Sequence, residues 1–196
     1  MVQEKHAHDY VSYVDKASEK KVVSALRKLL PEAGFIAEEG SAAYSDETYC
    51  WVVDPLDGTT NYIHDNAPYC VSIALRDKQS LLLGVVYEPC RDECFYAWKG
   101  GGAYVNGERL RVSLVSEPKD AFVVTELPYN FEQYARTGEH LIHELYGKVA
   151  GIRMNGSAAL ASAMWLPDVL TLGWKLLSVS GISLRLHSWC WKPAVR

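Results

Sequence analysis

The chain predicts an α+β fold, a largely antiparallel sheet covered by helices, and three observations lead there. One helical apolar face lies near the N-terminus, the period turns to strict alternation from Tyr69 onward, and glycine-rich turns then separate short strands. The helix comes first: Val22, Leu26, Leu29 and Leu30 share a face between Asp15 and Pro31, and the Gly34 region ends the element. Next come two apolar runs with acidic ends, Phe35-Ile36-Ala37 before Glu38-Glu39 and Trp51-Val52-Val53 before Asp54. Tyr69, Val71, Ile73 and Leu75 then alternate with Cys70, Ser72, Ala74 and Arg76. Leu81 to Tyr87, Cys94 to Trp98, Ala103 to Val105 and Leu110 to Val112 read as further strands, with Gly100 to Gly102 and Asn106-Gly107 as hairpin turns. A strand at Ala121 to Thr125 precedes a helical pattern of Leu141, Ile142, Leu145 and Tyr146 beyond Pro128.

Composition fits a soluble enzyme. Twenty basic against twenty-four acidic side chains give a net charge of −4, without a basic run suited to nucleic acid or an anionic membrane. The five cysteines, Cys50, Cys70, Cys90, Cys94 and Cys190, are odd in number; Cys90 and Cys94 could form one metal pair, but no second Cys or His pair lies at zinc spacing, so buried free thiols in a reducing cytoplasm are expected. The N-terminus, Met-Val-Gln-Glu-Lys-His, has no apolar core of a secretion signal.

Chemistry concentrates at residues 51 to 62, Trp-Val-Val-Asp-Pro-Leu-Asp-Gly-Thr-Thr-Asn-Tyr. Asp54 and Asp57 stand three apart across a turn imposed by Pro55, so their oxygens can converge on a hard divalent cation. Gly58 and Thr59 follow with backbone amides that can face a phosphate. An Asx turn with solvated acids would use the same residue types. The second acidic pair, Glu38-Glu39 at another strand end, favours the metal and phosphate reading.

This segment resembles the signature of the inositol monophosphatase family, W-x-x-D-P-x-D-G-T-x-N-[FY], and fills every fixed position from Trp51 to Tyr62. The resemblance spans about His8 to Leu160. It takes in Asp15 and Glu19, Glu38-Glu39, the Gly100 to Gly107 turn region and Arg153-Met-Asn-Gly156-Ser157-Ala158-Ala159-Leu160. It implies a layered sandwich of helices and sheets, and a magnesium-dependent, lithium-sensitive phosphatase acting on a small phosphate monoester. By resemblance, Glu38, Asp54 and the Leu56 carbonyl would hold a first Mg2+. Asp54, Asp57 and a later W-D aspartate would hold a second, with Asp15 near a weaker third position. Glu38 with Thr59 would orient and deprotonate the attacking water, Asp57 would complete the catalytic set, and the Gly58 and Thr59 amides would cradle phosphate. Ala158 would approach a substrate hydroxyl, although Ser157 as a helix cap explains that stretch equally well. Glu19 reads equally as a first-turn helix acid. Fructose bisphosphate and phosphoadenosine phosphate phosphatases share the metal motif, so the substrate stays open. A homodimer is compatible with this reading.

From Ala161 the chain changes character. The last thirty-six positions hold four of the six tryptophans and, in Asp168, one of the twenty-four acids. The stretch from Val169 to Leu186 is apolar, but Gly173, Lys175, Gly181 and several serines argue against a membrane span. The family's C-Y-V-A-A-G-R and W-D patterns are missing here. Codons compatible with Ala163 to Val169, read one base earlier, spell C-Y-V-A-A-G-R, and those for Val179 to Arg185 spell G-K-W-D-F-S-A. The expectation is therefore a metal- and phosphate-binding lobe over 1–160 and a tail over 161–196 translated out of frame in place of the second lobe. Such a chain would keep the first cation site and lose most activity.

Overall fold

The computed structural model describes residues 2–6, 9–42, 44–111, 115–127, 131–163 and 169–170. A short antiparallel hairpin, β1 (Val2–His6) and β2 (Asp9–Ser12), opens the chain and leads into α1 (Tyr13–Leu29). The main sheet has seven strands in sequence order: β3 (Gly34–Ala37), β4 (Tyr49–Asp57), β5 (Cys70–Asp77), β6 (Leu81–Glu88), β7 (Glu93–Trp98), β8 (Gly102–Val105) and β9 (Glu108–Arg109). β3 pairs parallel with β4 and every later pairing is antiparallel, as expected from alternating strands joined by tight turns. Asn106 and Gly107 take φ of 47° and 90° at the last hairpin, the left-handed pair that a two-residue turn requires.

The α+β expectation and the layered sandwich both stand, with corrections of detail. The strand expected at Leu110 to Val112 forms at Glu108–Arg109 instead, and Val112 lies outside the described residues. Leu29 is exposed, whereas Val23 is buried in its place, because the inward face of α1 runs through Val23 and Leu26. A short helix, α2 (Thr59–Ile63), follows the Asp57 turn directly and was not foreseen. Beyond a 3-10 turn at Pro118–Asp120 lies a second, smaller sheet, and its pairings are parallel. Its strands are β10 (Phe122–Val124), β11 (Gly151–Arg153) and β12 (Val169–Leu170), with β10 in the middle. The helices of this region are α3 (Phe131–Leu145) and α4 (Ala158–Ala163). Apart from β12, the tail beyond Ala163, and with it the frame-shift expectation, lies outside the described residues.

β4 is buried along both faces, which suits its unbroken apolar run. On one face Trp51 and Val53 pack with Phe35, Ala33 and the α1 residues Val23 and Leu26. On the other, Cys50 and Val52 meet Ala74 and Leu81. α4 covers a further part of the sheet, where Ala159 and Leu160 close over Cys70, Val86 and Phe95. Burying one such large aliphatic or aromatic side chain is worth about 1.5–3 kcal/mol, so β4 is a well-anchored element and a firm base for whatever it presents at its end.

Candidate active site

The end of β4 gathers the acids. Ala37 pairs with Val53, so the chain leaving β3 runs alongside Asp54, and the Glu38 N–H donates to the Val53 carbonyl at 3.2 Å. This parallel register sets Glu38 beside Asp54. Asp54 is buried, and its Oδ1 accepts the Leu56 N–H at 3.2 Å across the Pro55 turn. The Asx turn is thus present, but buried and beside two more acids. Burial first, and then the charges of Asp57 and Glu38, push the Asp54 carboxyl well above the usual carboxylate range.

One face of α1 serves this cluster. Asp15, Ser18 and Glu19 lie at i, i+3 and i+4, the spacing that puts side chains on one side of a helix, and one turn further on Val23 and Leu26 enter the core. Ser18 Oγ donates to the Pro55 carbonyl at 3.1 Å. Thr59 Oγ1 lies 3.0 Å from Asp15 Oδ1 and 3.0 Å from the Leu56 carbonyl, and its single proton can serve only one of them at a time. Glu19 is fully buried, and its two oxygens accept the N–H groups of Glu39 at 2.6 Å and Ser41 at 2.8 Å. It is therefore a clamp on the turn that displays Glu38, rather than an acid in the first helical turn.

Asp57 is tied to α4 as well. Its Oδ2 accepts the Ser157 hydroxyl and the Ala159 N–H, the latter at 2.9 Å, at the start of α4. Cys70 Sγ stands 3.9 Å from the same oxygen and 3.4 Å from Ser157 Oγ. Burial raises the Asp57 carboxyl, while the Ser157 and Ala159 donors oppose that rise. Burial also pushes the Cys70 thiol well up, helped by the charge of Asp57.

Gly58 is the N-cap of α2 at φ 94°, and no side chain caps that helix by a hydrogen bond. A Cβ there would come within 3.2 Å of the Gly156 carbonyl, the Pro68 carbonyl and Tyr69 Cβ, so glycine is required on two counts. Asn61 ties the neighbouring loops together, its Nδ2 donating to the Pro68 carbonyl at 2.7 Å and the Asn155 carbonyl at 2.6 Å.

The structure thus brings together Glu38, Asp54 and Asp57 on adjacent strand ends, with the Leu56 carbonyl, Gly58, Thr59 and Asp15 alongside. Asp54, pushed up by the neighbouring Asp57 and Glu38 with no basic partner among the causes, forms with them a set that a divalent cation would complement. Among the described residues, however, no group of three or more His, Cys, Asp or Glu side chains is drawn close enough to hold a metal ion as it stands. Ala158 heads α4, and Ser157 Oγ also accepts the Leu160 N–H at 3.4 Å, so the capping role foreseen for Ser157 is present.

The profile of the Inositol monophosphatase family matches residues 1–189, a span that runs into the tail. The chain belongs to the inositol monophosphatase family. It is 40% identical over 158 residues to the Nus factor SuhB of Escherichia coli strain K12, a match covering 80% of this chain and 59% of that protein. It is 39% identical over 157 residues to the Inositol-1-monophosphatase of Rhizobium meliloti strain 1021, covering 78% and 58%. Among solved structures, the extragenic suppressor protein suhB from Bartonella henselae superposes with a TM-score of 0.80 at 36% identity, covering 86% of this chain and 66% of that one. The chain thus spans less than two thirds of the length of these curated relatives.

Glu126, Ser157 and Cys70 escaped the sequence reading as site residues. Glu126 had the same signal that exposed Glu38, an acid just past an apolar strand, here Ala121 to Thr125. Ser157 and Cys70 are small residues with no spacing signal of their own, and only the fold brings them to Asp57. Among the described residues Cys50, Cys70, Cys90 and Cys94 form no disulfide; Cys50 and Cys70 are buried as expected, whereas Cys90 is exposed and Cys94 half-buried. No helix among the described residues is long and apolar enough to cross a membrane.

Proposed function

We propose that this site is a divalent-cation-dependent phosphomonoesterase centre for a phosphate ester of inositol or a similar polyol, with Mg2+ as the cation. The observation behind the reading is the convergence of Glu38, Asp54 and Asp57 at the ends of two paired strands, with Gly58 in a left-handed turn directly after them. All of these donors are oxygens, the ligand type that magnesium prefers. Glu38, Asp54 and the Leu56 carbonyl would hold one cation; Asp54 and Asp57 would contribute to a second, and Asp15 to a weaker third. The cations supply the positive charge that offsets charge building on the phosphate and leaving oxygens. Glu38 would accept the proton of the attacking water, with the Thr59 hydroxyl helping to orient it. The Gly58 and Thr59 N–H groups would receive the phosphate oxygens, and the Ala158 backbone would meet a substrate hydroxyl.

A second reading, a metal-binding chain with little catalysis, is favoured by one observation: the W-D pattern does not occur after Leu160. Two-metal phosphoryl transfer uses one cation for the attacking oxygen and one for the leaving oxygen, so a chain that cannot complete the second site loses about a hundredfold or more in rate. Two measurements on the 196-residue protein separate the readings. Calorimetry should show Mg2+ binding that Asp54→Asn weakens strongly, and unchanged binding in that variant removes the whole assignment. Release of phosphate from inositol 1-phosphate should be Mg2+-dependent and lithium-sensitive if the centre is complete; Mg2+ binding without turnover supports the second reading. Inserting one base near the Ala161 codon should restore a W-D motif and full turnover. Stop codons in that frame would end the out-of-frame explanation of the tail.

A further inference from the structure

The end of β4 meets the start of α4 at Asp57, and a single carboxylate just past β10 organises the meeting. Glu126 lies just past β10, and its Oε1 accepts the Asn155 N–H at 2.7 Å. Both of its oxygens lie 3.0 Å from the Gly156 N. The Ser157 N–H adds to the same cluster, and these donors oppose the rise that burial imposes on the Glu126 carboxyl. Three consecutive amides are therefore folded around one side chain, a concave arrangement that fixes the backbone of residues 155–157.

The consequence falls on the next residues. Gly156 at φ 75° leaves no room for a Cβ, which would stand 2.8 Å from Asn61 Oδ1, and Asn61 in turn binds the Asn155 carbonyl at 2.6 Å. Held from both sides, the segment presents the Ser157 hydroxyl and the Ala159 N–H to Asp57 Oδ2. That oxygen is thereby engaged with α4, so in this arrangement a cation would be met through the other oxygen, Oδ1.

We infer that Glu126 is a positioning residue for Asp57: by gathering the 155–157 amides it fixes the donors that lock Asp57 Oδ2 and so sets Asp57 as a one-oxygen ligand. The metal-binding part of this inference rests on the function proposed above, but the linkage between Glu126 and Asp57 does not. A glutamine at position 126 keeps one acceptor oxygen but turns an NH2 group toward backbone N–H donors, so the cluster should open.

The test uses the whole 196-residue chain and two readouts. The first is amide hydrogen exchange by NMR: Glu126→Gln should speed exchange at Asn155, Gly156 and Ala159 by about tenfold or more, with β4 amides unchanged, whereas Glu139→Gln on exposed α3 should change none of them. The second is Mg2+ affinity in a double-mutant cycle with Asp57→Asn. Glu126→Gln alone should weaken Mg2+ about three- to tenfold, and the same change should cost nothing further once Asp57 is Asn. Purely additive losses would mean a general structural effect and overturn the inference. Unchanged Ala159 exchange in Glu126→Gln would overturn it as well, whatever the metal does. If the wild-type chain binds no Mg2+, the proposed function fails, while the exchange result alone still decides the linkage.

Discussion

The α1–β3–β4 corner and the α3 region treat their side chains in opposite ways. In the first, three acids are enclosed while Glu38 stays at the surface: Asp15, Glu19 and Asp54 are all buried, and Glu19 and Asp54 accept backbone N–H groups. In the second, Leu127, Ile142, Gly138, Tyr134 and Tyr146 line an open apolar groove of about 760 Å³, and Tyr146 is 81% exposed. Buried acids cost free energy unless they are paired, whereas an exposed apolar face costs little until another surface meets it. The first region is thus built to hold charge in place, and the second presents a surface whose burial is not completed among the described residues. Substitutions should therefore behave very differently in the two regions.

The largest effect is expected at the base of the acidic corner. Trp51 packs into the cluster of Val23, Leu26, Phe35 and Val53, so Trp51→Ala should cost about 3–5 kcal/mol of stability, the usual range for deleting a buried aromatic side chain. Urea unfolding followed by circular dichroism would measure it. A loss under about 1 kcal/mol would mean that β4 is not the anchored element described here.

The clamp on Glu38 comes next. Glu19→Gln replaces a carboxylate that accepts two N–H groups with an amide that has one acceptor oxygen, which should cost about 1–3 kcal/mol for the donor left unpaired. It should also weaken Mg2+ binding in calorimetry, because the turn bearing Glu38 loses its tether. Equal stability with intact Mg2+ affinity would show that the turn holds its shape without Glu19.

Gly58→Ala should be milder. A left-handed backbone costs a non-glycine residue about 1–2 kcal/mol, and the 3.2 Å neighbours would have to give by a few tenths of an ångström. Thermal melts should show the loss with and without Mg2+. A melting temperature equal to that of the parent chain would rule out the tight turn after Asp57.

How much of this was legible beforehand follows the same division. Glu38, Asp54 and Asp57 could be named because strand ends, proline turns and acid spacing are local signals, and their meeting needs only one strand pairing. The strand alternation from Tyr69 and the Asn106-Gly107 hairpin were legible for the same reason. The roles of Glu19 and Glu126 were not. Each acts on backbone amides 20 to 30 residues away, and nothing in the local pattern shows which amides a buried carboxylate will meet. Leu29 was misplaced because helical periodicity defines a stripe but not its edge, and packing against Phe35 and Trp51 drew in Val23 instead.

The smallest stability effect is expected in α3, where the comparison can be turned around. Tyr146 sits one residue past the helix, bonded through its N–H to the Ile142 carbonyl at 2.8 Å, with its ring largely in solvent. Tyr146→Ser keeps that backbone bond and removes little buried area, so stability should stay within about 0.5 kcal/mol of the parent. The apolar groove should nonetheless respond, since Tyr146 forms part of its wall beside Ile142 and His143. An apolar dye such as ANS should bind the parent chain and bind the variant more weakly, while Mg2+ affinity at Asp54 stays the same. A destabilisation near that of Trp51→Ala would mean that the ring is packed against something, and the contrast between an enclosed acidic corner and an open helix face would no longer hold.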